Sequence, residues 1–155
     1  MMEDALDGVK AYFDASLETA LTAIETARSV TIPRIVGGIA TRTDLSYQFP
    51  KMSLLPRGVN HEYGDTDAPL KDFWSLYDID IVITHTGSDY DTVQDALCRY
   101  YEAIVNMTIA SWTYGDRFDQ VTLGDADFSA MMESQEDRRL GQSLYISLEV
   151  RAYEH

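Results

Sequence analysis

The side chains of this chain with the greatest capacity for chemistry are carboxylates spaced two residues apart. Such Asp-x-Asp pairs ligate divalent cations when further oxygen ligands follow at set positions. Three pairs occur, and they are Asp65 with Asp67, Asp78 with Asp80, and Asp125 with Asp127. None is completed by the third ligand, glycine and distant glutamate of a calcium loop. We therefore interpret all three as solvated surface acids and expect no metal and no other cofactor.

The nucleophilic and imidazole side chains form no recognisable catalytic set either. His61, His85 and His155 share no metal-ligand spacing, and Cys98 is the single cysteine, which excludes an internal disulfide. We interpret Cys98, beside Leu97, as a small buried residue of a helix. The Gly-x-Ser-x-Gly elbow and the glycine-rich phosphate loops are absent. The sequence predicts no enzyme, and a small metal-dependent enzyme built on clustered acids is the alternative from another class.

The charge of the chain favours protein partners. It has 26 acids against 12 bases, a formal net charge of −14, which repels phosphate backbones and anionic membranes, so we expect no direct nucleic-acid binding and no membrane contact. Between residues 116 and 137 seven acids accompany Arg117, and Arg138 and Arg139 follow at once. We hypothesise that this acidic tract faces Arg34, Arg117, Arg138 or Arg139 of a neighbouring chain or a basic partner ring. A solvated loop is the alternative.

Aromatic residues give a second indication of an interface. Ten tyrosines and two tryptophans exceed what one small core needs, and both types favour interfaces, although tyrosine also suits half-buried strands. The aromatic candidates are Tyr63, Trp74, Tyr77, Tyr90, Tyr101, Trp112, Tyr114, Tyr145 and Tyr153. Together with the charged residues, the predicted interface set is Arg34, Tyr63, Trp74, Arg117, Asp125, Asp127, Arg138 and Arg139.

These residues must be positioned by one domain, because 155 residues suit a single core. Apolar spacing predicts a helix from Met2 to Arg28 and another from the Ser88 and Asp91 cap pattern to about Met107. Alternation predicts strands at 45–49, 52–55, 73–84, 109–114, 118–123 and 144–152, the fourth and fifth forming a hairpin. A long loop is expected at about 56–72 and an acidic loop at about 124–140. We predict an α+β fold, a mainly antiparallel sheet with two main helices packed on one face.

The start of the chain bears on where it is made. Glu3, Asp4 and Asp7 stand where a signal peptide would be basic, and no apolar run reaches the roughly 18 residues of a membrane span. We therefore expect synthesis in the cytoplasm.

The order of these elements resembles the tail terminator proteins of long-tailed bacteriophages. The matching stretches are the opening helix, YQFP at 47–50, WSLYDIDIVI at 74–83, VQDALCRYYEAI at 93–104 and GQSLYISLEV at 141–150. The resemblance implies an α+β subunit of a homo-oligomer, a hexameric ring, in the tail or neck of a virion assembled in the host cytoplasm. Its implied partners are the tail tube protein, whose elongation it stops, and a head-tail connector or stopper protein. It carries no catalytic motif.

Two further expectations accompany this resemblance. Another neck or head-completion protein of the head-tail junction is the alternative within the same structural class, since such proteins share similar small folds. The predicted loop at 57–72 is the candidate segment for docking a partner, because loops that become ordered on binding commonly lie between rings. Disorder without a partner is its plain alternative.

Overall fold

The computed structural model describes residues 1–43, 47–63 and 73–154, apart from the side chains of residues 63 and 154. The elements in chain order are α1 Met2–Arg28, β1 Ile39–Ala40, β2 Lys51–Tyr63, β3 Phe73–Gly87, α2 Tyr90–Ala110, β4 Gln120–Phe128, β5 Met132–Glu133 and β6 Leu140–Glu154. The chain is therefore an α+β protein, with two helices and one sheet.

The sheet is mixed, where a mainly antiparallel one was expected. Its strand order is β1-β2-β3-β6-β4, and β5 also pairs with β6. β1 runs parallel to β2, with Ile39 beside Met52, while the other described pairings are antiparallel. Between α1 and β1 the chain turns at Gly37 and Gly38, whose φ angles are 81° and 77°. Glycine adopts such angles without steric cost.

The core is one apolar cluster to which both helices and the sheet contribute. α1 covers the predicted range and buries Leu6, Val9, Phe13 and Leu21 at helical spacing, which confirms this helix. Alternate residues of β3 and β6 are buried and join the same apolar cluster as the buried faces of α1 and α2. Full burial of each such side chain stabilises the fold by about 1.5–3 kcal/mol. This apolar cluster is the hydrophobic core of the protein.

The loop predicted at 56–72 is wrong for residues 56–63, which belong to β2. Pro56 and Gly58 interrupt the apolar alternation, and the structure accommodates them as a register shift against β3. Beyond Ser53 the described pairings of β2 are with β3 alone, and proline is tolerated on such an edge. Residues 64–72, and residues 44–46 of the strand predicted at 45–49, lie outside the described part. Residues 47–49 form no strand.

The hairpin predicted from residues 109 to 123 is also wrong. α2 runs on to Ala110, because Ile104, Met107 and Thr108 continue its buried helical spacing. A turn follows with positive φ angles at Tyr114, Gly115 and Asp116. β4 then pairs with β6 and includes residues 124–128 of the predicted acidic loop. β5, which also pairs with β6, includes residues 132 and 133 of that loop.

Cys98 is exposed, so the prediction of a small buried residue is corrected. Leu97 is fully buried, and one residue along a helix rotates the side chain by roughly 100°. Cys98 therefore points away from the face that Leu97 buries. Partial desolvation of the Cys98 thiol still raises its pKa, and the negative charge of Asp95 makes a smaller contribution in the same direction.

Candidate functional site

Arg34 is engaged within its own subunit. Its guanidinium pairs with Glu18 at 2.8 Å and with Glu25 at 2.6 Å, and it donates to the carbonyl oxygen of Ile32 at 2.7 Å. Glu25 also accepts the backbone N–H of Ile32 at 2.8 Å. The hydrogen bond from Arg34 lowers the pKa of Glu25, and that from Glu25 raises the pKa of Arg34. This network ties the segment after α1 to the helix, which is a structural role.

Trp74 lies on the face of β3 opposite its buried residues, within a small aromatic and charged cluster. Its ring centroid is 5.3 Å from that of Tyr153, and the guanidinium of Arg151 lies 4.5 Å from the Trp74 ring. Arg151 also pairs with Glu62 at 3.3 Å. The cluster therefore joins β2, β3 and β6 on this face. The side chain of Tyr63, the other aromatic of the predicted interface set, lies outside the described residues.

The C-terminal end of α2 presents apolar side chains to solvent. Ile109 is 74% exposed and Trp112 is 60% exposed. Asp116 and Asp119, both exposed, follow in the same turn. Arg117 lies there too and donates to the carbonyl oxygen of Tyr114 at 3.0 Å. We call Ile109, Trp112, Asp116 and Asp119 the α2 end.

A cleft opens at the other end of β6. Its volume is about 600 Å³, within the range typical of small-molecule pockets, roughly 300–1,000 Å³. It combines aromatic and apolar walls with charged groups, and its lining includes Tyr47, Phe49, Met132, Glu133, Asp137 and Arg139. Met132 is 69% exposed. We call this feature the Arg139 cleft. Arg139 belongs to the predicted interface set, and Arg138, another member of that set, is its exposed neighbour in the chain.

The α2 end and the Arg139 cleft are far apart along the sheet. The carbonyl oxygen of Trp112 accepts the N–H of Val121 at 2.7 Å, and Val121 pairs with Val150. Met132, in contrast, pairs with Gly141 at the start of β6. Val150 is nine residues along β6 from Gly141, a span of about 30 Å. The two surfaces therefore lie at opposite ends of one subunit.

The predicted acidic tract does not form one surface. Asp125 lies in the register shift of β4 and Asp127 pairs opposite Tyr145, both exposed. Asp137 lies beyond β5, where its carboxylate accepts the backbone N–H of Arg139 at 3.1 Å. That bond is the largest cause lowering the pKa of Asp137. The acids are therefore spread along β4 and around the cleft.

A buried polar pair lies close to the cleft. His85 and Gln142 face each other between β3 and β6, and both are buried. The Nδ1 atom of His85 and the Oε1 atom of Gln142 have no hydrogen-bond partner among the described residues, while Gln142 Nε2 donates to the carbonyl of Ser129 at 2.9 Å. Burial lowers the pKa of His85, and the positive charge of Arg139 lowers it further.

Within residues 1–43, 47–63 and 73–154, no three His, Cys, Asp or Glu side chains lie close enough to hold a metal ion. In the same ranges, neither helix is long and apolar enough to cross a membrane.

Sequence reasoning gave no specific role to several residues of these surfaces. Ile109 was assigned to a strand, although its spacing from Tyr101 and Val105 continues the helical period of α2. Phe49 was predicted only as part of a strand and Met132 carried no local signal, because the cleft forms only when distant segments meet. Trp112 was one of the aromatic candidates and is exposed. Tyr77 and Tyr114 were also candidates, but both are buried.

Comparisons with known proteins leave the chain without a family. No family model matches it, and no curated protein matches it. Among solved structures, it is similar to a chain of the virion of a native gene transfer agent (GTA) particle, with 11% identity, a TM-score of 0.33, and coverage of 89% of this chain and 93% of that chain. At this identity and TM-score, the likeness defines neither the fold nor the function of the chain.

Proposed function

We propose that the chain is a structural subunit of a phage-type virion that acts by assembling with other chains and catalyses no reaction. In its specific form, the proposal is a tail terminator: a ring of this chain, hexameric by resemblance, sits on the last ring of tail tube protein. It stops tube elongation and offers its other surface to the head connector or stopper. The order of elements that resembles tail terminators supports this form.

The observation that carries the proposal is the presence of two unlike exposed surfaces at opposite ends of one subunit. Closed rings of identical subunits with a head-to-tail contact need two different surfaces on each copy. The α2 end exposes Ile109 and Trp112, and the Arg139 cleft offers a concave surface about 30 Å away. Exposed aromatic residues of this kind are enriched in protein interfaces.

Negative-stain images and light-scattering masses of the purified chain test the assembly. We expect closed rings of one size. The terminator role is tested by coexpression with the tail tube protein of the same phage, where tubes should stop growing and carry a ring at one end. Tubes that elongate equally with and without the chain would contradict the terminator role.

The alternative within the same class is another neck or head-completion protein. It predicts rings that bind the head connector and leave tube length unchanged. Coexpression with each component in turn, followed by copurification, separates the two roles.

A further inference from the structure

We draw no further inference here: the strongest candidate, the Arg139 cleft, carries nothing because the described residues do not show what covers it, and the α2 end, like the cleft, has more acids than bases.

Discussion

Tyr114 and Trp112 lie two residues apart in one turn, yet the fold treats them in opposite ways. Tyr114 is fully buried, stacks on Tyr12 with ring centroids 4.3 Å apart, and shares a hydrogen bond of 2.8 Å with Thr108. Burial raises the pKa of its hydroxyl. Trp112 points outward and is 60% exposed. The comparison separates an aromatic side chain that completes the core from one left available to another chain.

The largest expected effect tests this comparison directly. Tyr114→Ala should lower the free energy of unfolding by about 3–5 kcal/mol, because it removes a buried ring and the hydrogen bond that its hydroxyl shares with Thr108. Trp112→Ala should change the same quantity by roughly 0.5 kcal/mol or less, since exposed substitutions outside special features are nearly neutral. Urea unfolding followed by far-UV circular dichroism measures both. A cost above about 2 kcal/mol for Trp112→Ala would mean that its side chain supports the core.

The same contrast shows how far sequence reasoning reaches. The helix Met2–Arg28 and the strands β3 and β6 follow from apolar spacing, because one face of each packs on the core. The sequence does not predict β2 beyond Leu55, because Pro56 and Gly58 have low strand propensity. Pairing with β3 outweighs that low propensity in the fold. The parallel pairing of β1 depends on a two-residue contact that no local pattern encodes.

The candidate surfaces were predictable in part. Arg138 and Arg139 stood out through the abrupt change of charge, and Arg139 lines the cleft. Arg34 looked equally available in the sequence, but its acceptors Glu18 and Glu25 lie on the helix face that the folded segment reaches. Phe49 and Met132 become neighbours only through tertiary structure. The sign of a side chain's charge can therefore be read from the sequence, but whether that side chain is free to contact another chain depends on the fold.

A smaller effect distinguishes Arg34 from Arg139. Arg34→Ala should lower the free energy of unfolding at pH 7 by about 1 kcal/mol, the sum of partly exposed ion pairs and a hydrogen bond to a carbonyl. Arg139→Ala should be close to neutral in the same assay. The pKa of Glu25 is lowered in the fold, so its stabilisation is present above its ordinary value of 4.5 and is lost as pH falls. The difference between wild type and Arg34→Ala should therefore shrink as pH falls below 4.5, down to the part that comes from the bond to the Ile32 carbonyl; a difference that does not shrink at all on acidification would contradict this origin.

The smallest effect concerns His85, beside the Arg139 cleft. Because burial first and Arg139 second lower its pKa in the fold, the unfolded chain takes up the proton more readily. The contribution of neutral His85 to stability is present above its ordinary value of 6.5 and is lost as pH falls toward the lowered value. Stability of wild type should thus decline between pH 7 and pH 5 more than that of His85→Leu, measured as urea midpoints. Arg139→Ala should reduce the decline only partly, since burial is the larger cause; complete loss of the decline in Arg139→Ala would mean that the charge across the cleft, and not desolvation, sets the protonation of His85.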